Sequence, residues 1–271
     1  MQVYFSAHTW SFADLTLPEA LGTIARLGFR FVDIGSGSGW SAQAAANNPR
    51  KVAQEIREDL DRYDLTLSDL YLMHPWITTA GERRERDLEL FTNLLPFAQA
   101  LGTQGITVSP GVLRKDDDPE QALALAQSAL AQMQASANEQ GLALSIEPHL
   151  DSVAPNPSTT LKLLDLVDGL NVTLDWAEMT CQNISLDQLT PLLARTRHIH
   201  FRGATRNKLQ VALEKSTITP ETVFASLQTV DYEGAISFEL LGQNLRHGAQ
   251  KLAPISEILH LRDAFKKGYP A

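Results

Sequence analysis

The hydrophobic and polar positions along the chain repeat one unit: a short apolar segment, a polar loop, and a longer amphipathic segment. Short apolar runs beside turn residues are typical of buried parallel strands, whereas apolar positions three and four residues apart are typical of helices. The pattern therefore predicts eight strands. They cover residues 3–8, 29–34, 65–73, 105–109, 142–149, 171–175, 197–201 and 235–240.

Capping residues mark where the intervening helices begin. Thr16 and Glu19 have the spacing of a capping box, and four later pairs place a capping side chain directly before a proline. These pairs are Asn48-Pro49, Asp118-Pro119, Asn156-Pro157 and Thr219-Pro220. Further helices are predicted over residues 82–102 and, at the end of the chain, over residues 248–267. The sequence thus predicts eight helices in strict alternation with the eight strands.

Strict alternation of strands and helices implies parallel strands joined by right-handed crossovers. Eight such units close into a (β/α)8 TIM barrel, and 271 residues are enough for one barrel. An open doubly wound sheet is the alternative, but the chain lacks the glycine-rich dinucleotide fingerprint of that class. We therefore expect an α/β fold with a single TIM-barrel domain over residues 1–271.

Four successive strands end in residues that commonly bind metal ions. Strands five to eight carry Glu147, Asp175, His200 and Glu239 at their ends. Because neighbouring strands lie about 4.8 Å apart, four adjacent carboxyl ends can surround one ion. Oxygen and imidazole donors suit Mn²⁺, Mg²⁺, Co²⁺ or Zn²⁺, so we expect one divalent metal ion as cofactor.

A second polar layer is predicted below these four residues. Ser145, Thr173, His198 and Ser237 each precede one of them by two positions and share its side of the strand. We expect this layer to orient the metal ligands by hydrogen bonds.

Composition narrows the classes of partner. The net charge is −9, which argues against nucleic acid and anionic membrane surfaces, since both attract basic proteins. Cys181 is the only cysteine, so neither a disulfide framework nor a thiolate metal site is expected. The first residues lack the features of a signal peptide, and no apolar run approaches the length of a membrane span. We expect a cytoplasmic protein.

The segments 145–149, 174–176, 198–203 and 237–240 resemble the sugar phosphate isomerase/epimerase family of xylose-isomerase-like TIM barrels. The resemblance extends over nearly the whole chain. It implies that Glu147, Asp175, His200 and Glu239 bind the metal, and that Glu147 and Glu239 are also the catalytic acid/base pair. It further implies that Arg206, six residues after His200, binds substrate.

Other substrate-binding candidates lie near the strand ends. Glu178 stands where many members of the family have a histidine that contacts substrate or a second metal, which leaves the substrate class open. His149 and His74 follow strands and could contact hydroxyl groups, and Trp176 could form a wall of the pocket, as could Trp10, Trp40 and Trp76. Arg202 could bind an anionic group near strands seven and eight.

Three functions follow from these residues. The first is a metal-dependent isomerase or epimerase of a small sugar or polyhydroxy carbonyl compound. The second is a dehydratase of a cyclic polyol or dehydroshikimate-like acid, because Glu147-Pro-His149 resembles the Glu-x-His of such enzymes. The third is a sugar-binding barrel without catalysis, and an abasic-site endonuclease is disfavoured by the acidic charge. The expected partner is a small carbohydrate or related polyol, anionic ones included, and a homo-oligomer is compatible with the sequence.

Overall fold

The computed structural model describes residues 1–37, 39–242 and 245–269. Eight parallel strands form a closed barrel in sequence order, so that the first strand pairs with the last. The strands are β1 Gln2–His8, β2 Phe31–Gly35, β3 Thr66–Leu72, β4 Gly105–Val108, β5 Ala143–Ile146, β6 Asn171–Asp175, β7 Thr196–Phe201 and β8 Glu233–Phe238. The predicted (β/α)8 TIM barrel is confirmed.

The described residues contain ten α-helices rather than the predicted eight, so strict one-to-one alternation was wrong. They are α1 Leu17–Arg26, α2 Ala42–Asn47, α3 Pro49–Arg62, α4 Glu82–Leu101, α5 Pro119–Glu139, α6 Pro157–Leu166, α7 Trp176–Cys181, α8 Leu186–Leu193, α9 Pro220–Gln228 and α10 Pro254–Gly268. The additional short helices α2 and α7 lie in the connections that follow β2 and β6. Within the described residues no helix is both long and apolar enough to cross a bilayer.

The capping signals locate the helix starts accurately. Thr16 and Glu19 form the predicted capping box, and the side chains of Asp118, Asn156 and Thr219 accept hydrogen bonds from the first turns of α5, α6 and α9. Each bond satisfies a backbone N–H that the helix itself cannot pair.

The last helix begins at Pro254, six residues later than the predicted start at residue 248. The backbone before it is paired elsewhere: Leu209 donates to the His247 carbonyl, and Gln250 donates to the Gln210 carbonyl. Gly248 has φ +69°, and a Cβ there would lie 2.6 Å from the Asn207 carbonyl oxygen. These residues therefore form an ordered connection against the loop after β7, and they cannot also be helical.

The barrel interior below the strand ends is filled by a network of charged and hydroxyl side chains. Arg197 donates to Ser145 Oγ and to Asp69 Oδ1, both at 2.7 Å. His198 Nε2 lies 2.6 Å from Asp33 Oδ2, and Thr173 bonds to Thr107 at 2.6 Å.

This network differs from the predicted orienting layer. Ser145, Thr173 and His198 bond to the network described above rather than to the predicted metal ligands. Ser237 Oγ has no hydrogen-bond partner among the described residues. The Arg197 side chain needs the space beside Gly105, because a Cβ at that position would come within 2.3 Å of its guanidinium.

Candidate active site

The predicted ligand residues lie at one end of the barrel. Glu147 and Glu239 come one residue after β5 and β8, and their backbone N–H groups still donate to the neighbouring strands, at Val108 and Phe201. Asp175 is the last residue of β6 and is in register with His200 of β7. The sheet hydrogen bonds thus hold all four backbone positions at the carboxyl ends of adjacent strands.

Three of these side chains converge on one point. His200 Nδ1 lies 2.6 Å from Glu147 Oε1 and 3.0 Å from Glu239 Oε2. One donor atom from each residue falls within a 4.8 Å group, and all three residues are buried. Although burial opposes it, the charge of His200 lowers the pKa of Glu147. The pKa of His200 lies well above its usual value. Burial alone would lower this pKa, but the charge of Glu147 and the hydrogen bonds to carboxylates outweigh the effect of burial.

Asp175 is the exception among the four. Its Oδ2 lies 2.7 Å from the guanidinium of Arg202, and its Oδ1 accepts a hydrogen bond from Ala177 N at 2.7 Å. Its oxygens do not belong to the 4.8 Å group of Glu147, His200 and Glu239. The carboxylate is thus divided between the first turn of α7 and an internal arginine.

The donor set fits a divalent cation. Glu239 Oε2 is buried, and its neighbours are His200 Nδ1 at 3.0 Å and Arg202 at 3.7 Å, so the oxygen keeps lone pairs for an ion. The Nε2 atom of His200, opposite the converging Nδ1, lies 3.4 Å from Asp33. A carboxylate behind a ligand imidazole is the usual way to fix its orientation in metal sites. Glu147, His200 and Glu239 could therefore hold one ion, with Asp175 the nearest additional ligand.

A second group of donor atoms, from His8, Asp33 and His200, fits an ion less well. Asp33 already accepts from Ser6 and Ser68 and pairs with His198. His8 Nδ1 accepts a hydrogen bond from Trp10 N at 3.1 Å, so in a neutral ring the hydrogen is on Nε2. A metal ion bound there would have to displace these hydrogen bonds.

A cavity of about 460 Å³ opens above the converging residues. Six of the predicted residues line it besides Glu147: Asp175, Glu239, His149, Glu178, Arg202 and Trp10. His149 Nε2 bonds to Ser109 Oγ at 2.8 Å, whereas its Nδ1 is buried without a partner.

Glu178 is held at the edge of this central cavity by three donors. It accepts from Leu150 N at 2.9 Å and from Arg246 at 3.0 Å, with Arg202 at 3.4 Å. Glu178 is therefore part of an ion-pair network that joins the buried Arg202 to the partly exposed Arg246.

Three predicted substrate-binding residues do not line the central cavity. His74 lies on the side of the strand opposite Tyr71 and packs against Phe91 of α4, with its ring centroid 5.5 Å from that of Phe91. Trp176 directly follows the inward-facing Asp175 and faces the opposite side of the strand. Arg206 is exposed. Trp176 and Arg206 both line a separate cavity. Side-chain direction thus places these three residues away from the central cavity.

Only one of the four tryptophans lines the central cavity, and that is Trp10. Trp40 packs against Phe97 with a centroid distance of 5.1 Å, and Trp76 contacts the guanidinium groups of Arg83 and Arg114. Proximity to a strand end in the sequence did not determine which way these side chains face.

Two lining residues were missed from the sequence. Tyr71 is buried in the central cavity, with its ring stacked 6.1 Å from that of His200. The alternation along β3 could have identified it, because Tyr71, Met73 and Pro75 share the cavity side. Arg246 lies in the connection before α10, bonding to Glu178 at 3.0 Å and Asp151 at 3.1 Å, and no strand pattern marks it.

Comparison with known proteins gives a consistent fold. D-allulose 3-epimerase from Methylomonas sp., in complex with D-allulose, is 16% identical with a TM-score of 0.78 and coverage of 99% of this chain and 98% of that one. The probable 3-DHS dehydratase AsbF from Bacillus anthracis is 15% identical, with a TM-score of 0.76 and coverage of 98% and 99%. The IOLI protein with a bound zinc atom is 12% identical, with a TM-score of 0.77 and full coverage of both chains, 100% each.

At such low sequence identity, the TM-scores show a shared fold and nothing more. Comparison with curated protein sequences gave no significant match. The family profile described as "Xylose isomerase-like TIM barrel" matches residues 21–263. This range takes in seven of the eight strands and all four residues at the barrel end, from Glu147 to Glu239. The chain therefore belongs to the xylose isomerase-like TIM-barrel family.

Proposed function

We propose that the protein is a divalent-metal-dependent epimerase or isomerase of a small sugar or related polyhydroxy carbonyl compound. The observation that carries this proposal is the convergence of Glu147 and Glu239 on His200 Nδ1, at 2.6 and 3.0 Å, below the central cavity. Two carboxylates at one buried point are the groups needed to remove a proton beside a carbonyl and to return it.

In this proposal the two glutamates exchange protons with substrate. They come from β5 and β8, with Asp175 and His200 between them around the barrel, so each can serve one face of a substrate held above. Burial alone would raise the pKa of both carboxyls, but His200 lowers it by more. Both carboxyls are therefore ionised and able to act as bases at neutral pH. A bound divalent ion would polarise the substrate carbonyl and stabilise developing negative charge. Mn²⁺, Mg²⁺, Co²⁺ and Zn²⁺ are the ions to test.

The residues around the cavity would orient the substrate. Arg246 is about two-fifths exposed and lies beside Glu178, so its free N–H groups can donate to hydroxyl or anionic oxygens. His149 offers a buried ring nitrogen, and Trp10 and Tyr71 provide an aromatic wall. The volume of about 460 Å³ is within the usual range for small-molecule sites. D-allulose, bound by one structural neighbour, is a reasonable first substrate.

Solvent exchange tests the proposal directly. The protein, loaded with each ion in turn, is incubated in D₂O with D-allulose, D-fructose and L-ribulose. We expect deuterium at the carbon beside the carbonyl of a converted sugar, and loss of net conversion in Glu147→Gln and in Glu239→Gln. Lys251→Gln is the control, because Lys251 is exposed and does not line the central cavity. Conversion without any deuterium would contradict the two-glutamate mechanism.

A dehydratase is the second candidate, favoured by His149. Its Nε2 is fixed by Ser109 while Nδ1 has no partner, which leaves one ring nitrogen able to exchange a proton with substrate. A dehydroshikimate-like acid incubated with the metal-loaded protein would yield a product lighter by one water, and His149→Gln would abolish its formation. Deuterium exchange in a sugar with no loss of water would instead favour the epimerase.

A further inference from the structure

A second cavity, of about 380 Å³, lies on the other side of α7 from the central one. The two cavities share no lining residue. Glu178 of α7 faces the central cavity, whereas Trp176 and Thr180 of the same helix line the second. We call this second space the outer cavity. One six-residue helix thus forms a wall of both spaces.

The polar groups of the outer cavity are unusual for so acidic a chain. None of the described residues that line it is an aspartate or glutamate, although the chain has 32 of these. The Arg206 side chain makes no ion pair or hydrogen bond with any described residue, although its guanidinium is the only charged group among those lining residues.

Trp176 provides a second, independent feature. The residue is 1% exposed, and its indole Nε1 is buried without a hydrogen-bond partner. The indole N–H can only donate, so a group that satisfies it must be an acceptor. A buried donor without a partner is rare in folded proteins and calls for a specific explanation.

The remaining surface sets the shape of a ligand. Ile184, Leu189 and Ile218 provide apolar area, and the hydroxyl of Thr222 lies near the start of α9. Donors together with an apolar wall suit a molecule that has an anionic oxygen group on an apolar body.

We propose that the outer cavity is a second binding site, for a small amphipathic anion whose carboxylate or phosphate oxygens accept from Arg206 and Trp176. This inference does not depend on the reaction carried out in the central cavity. It also gives Arg206 a ligand, although the structure places this residue away from the central cavity.

Calorimetric titration with defined probes tests this site. 3-Phenylpropionate supplies a carboxylate on an apolar body, 3-phenylpropionamide is its neutral counterpart, and phenyl phosphate is the phosphate analogue. We expect one of the two anions to bind at least about ten-fold more tightly than the amide. The tighter anion identifies the acidic group that the site prefers.

Variants locate the binding. Arg206→Gln should weaken the preferred anion about ten-fold or more, while Lys208→Gln, in the same loop and with the same change of charge, should leave its affinity unchanged. Trp176→Phe keeps the ring but removes the N–H, and should weaken binding several-fold with the circular dichroism of the barrel preserved. A loss of affinity in both Arg206→Gln and Trp176→Phe, with none in Lys208→Gln, is the expected result.

Four results would overturn the proposal. Equal affinity for the anions and the amide would remove the role of charge. Undiminished anion binding in Arg206→Gln would remove the site. A loss of binding in Arg246→Gln with none in Arg206→Gln would place the anion in the central cavity. The absence of any heat at millimolar concentrations of all probes would also overturn it.

Discussion

The guanidinium of Arg202 lies 2.7 Å from the carboxylate of Asp175, and both side chains are almost completely buried. Glu178 and Glu239 lie 3.4 and 3.7 Å from the same guanidinium. Arg202 is therefore an internal cation that offsets several buried carboxylates. A divalent ion that took Asp175 as a ligand would compete with this pair.

Replacement of Arg202 tests how much of the carboxylate repulsion it offsets. Arg202→Gln leaves Asp175 without its ion-pair partner and removes one of the two arginines beside Glu178, and we expect the metal-free protein to lose about 3–5 kcal/mol of unfolding free energy. Added Mn²⁺ should recover part of this loss, and should raise the melting temperature more in the variant than in the unmodified protein. Arg202→Lys, which keeps the charge, is the control. Equal stability of the Gln variant and the unmodified protein would contradict this account.

Metal content is the next prediction. We expect about one divalent ion per chain after purification with Mn²⁺ or Zn²⁺, by elemental analysis, because one group of ligand atoms has free capacity. The Glu239→Gln variant should lose most of the bound metal. Glu214 is an exposed member of a different group, with Glu257 and His260, so the Glu214→Gln variant should keep its metal. Equal metal in both variants would refute the assignment, and a chelator should lower the melting temperature only where metal was present.

A pH dependence should arise from His74, away from the active site. Burial lowers the pKa of His74 to about 4, although Asp87 opposes this. The unfolded chain binds a proton near pH 6.5, so the stabilising contribution is complete above that pH and is lost as the pH falls towards 4. It amounts to about 3 kcal/mol if the whole shift is realised.

Urea unfolding at several pH values would measure this effect. Between pH 6.5 and 4.5 the slope of unfolding free energy against pH should be smaller in His74→Gln by close to one proton, whatever the variant's overall stability. His260→Gln, at an exposed histidine, should keep the original slope. Identical slopes in all three proteins would show that His74 does not titrate differently on folding.

Much of the fold, and the placement of four candidate-site residues at one end of the barrel, could be predicted from the sequence, because strand alternation and caps are local signals. Glu147, Asp175, His200 and Glu239 end adjacent strands, and a closed parallel barrel must bring such ends together. Helix starts with a proline after a capping residue were also accurate, as at Pro119.

The remaining differences arise where side-chain direction or loop packing decides. His74 and Tyr71 lie three residues apart near the end of β3, yet only the tyrosine faces the central cavity. Arg206 and Arg246 both lie in loops, and the pairing of backbone around residues 207–210 with 247–250 places the second arginine, not the first, beside Glu178. No local pattern predicts this long-range pairing.

Arg246 should therefore determine substrate affinity. Its guanidinium reaches Glu178 and Asp151 but is only partly buried, so it retains N–H groups for substrate oxygens. We expect Arg246→Gln to raise KM about ten-fold with a smaller change in kcat, because one charge-assisted hydrogen bond is lost. Lys251→Gln, later in the same connection, should leave KM unchanged. A fall in kcat alone would instead point to a role in catalysis.

The filled barrel interior restricts how substrate enters and product leaves. Arg197, His198 and their partners occupy the space beneath the strand ends, so substrate and product must use the same mouth. Epimers have the same size and charge, so each would compete with the other for the central cavity. A catalyst speeds both directions equally, so in the proposed reaction the ratio of the two sugars, compared with its equilibrium value, would decide which way they interconvert.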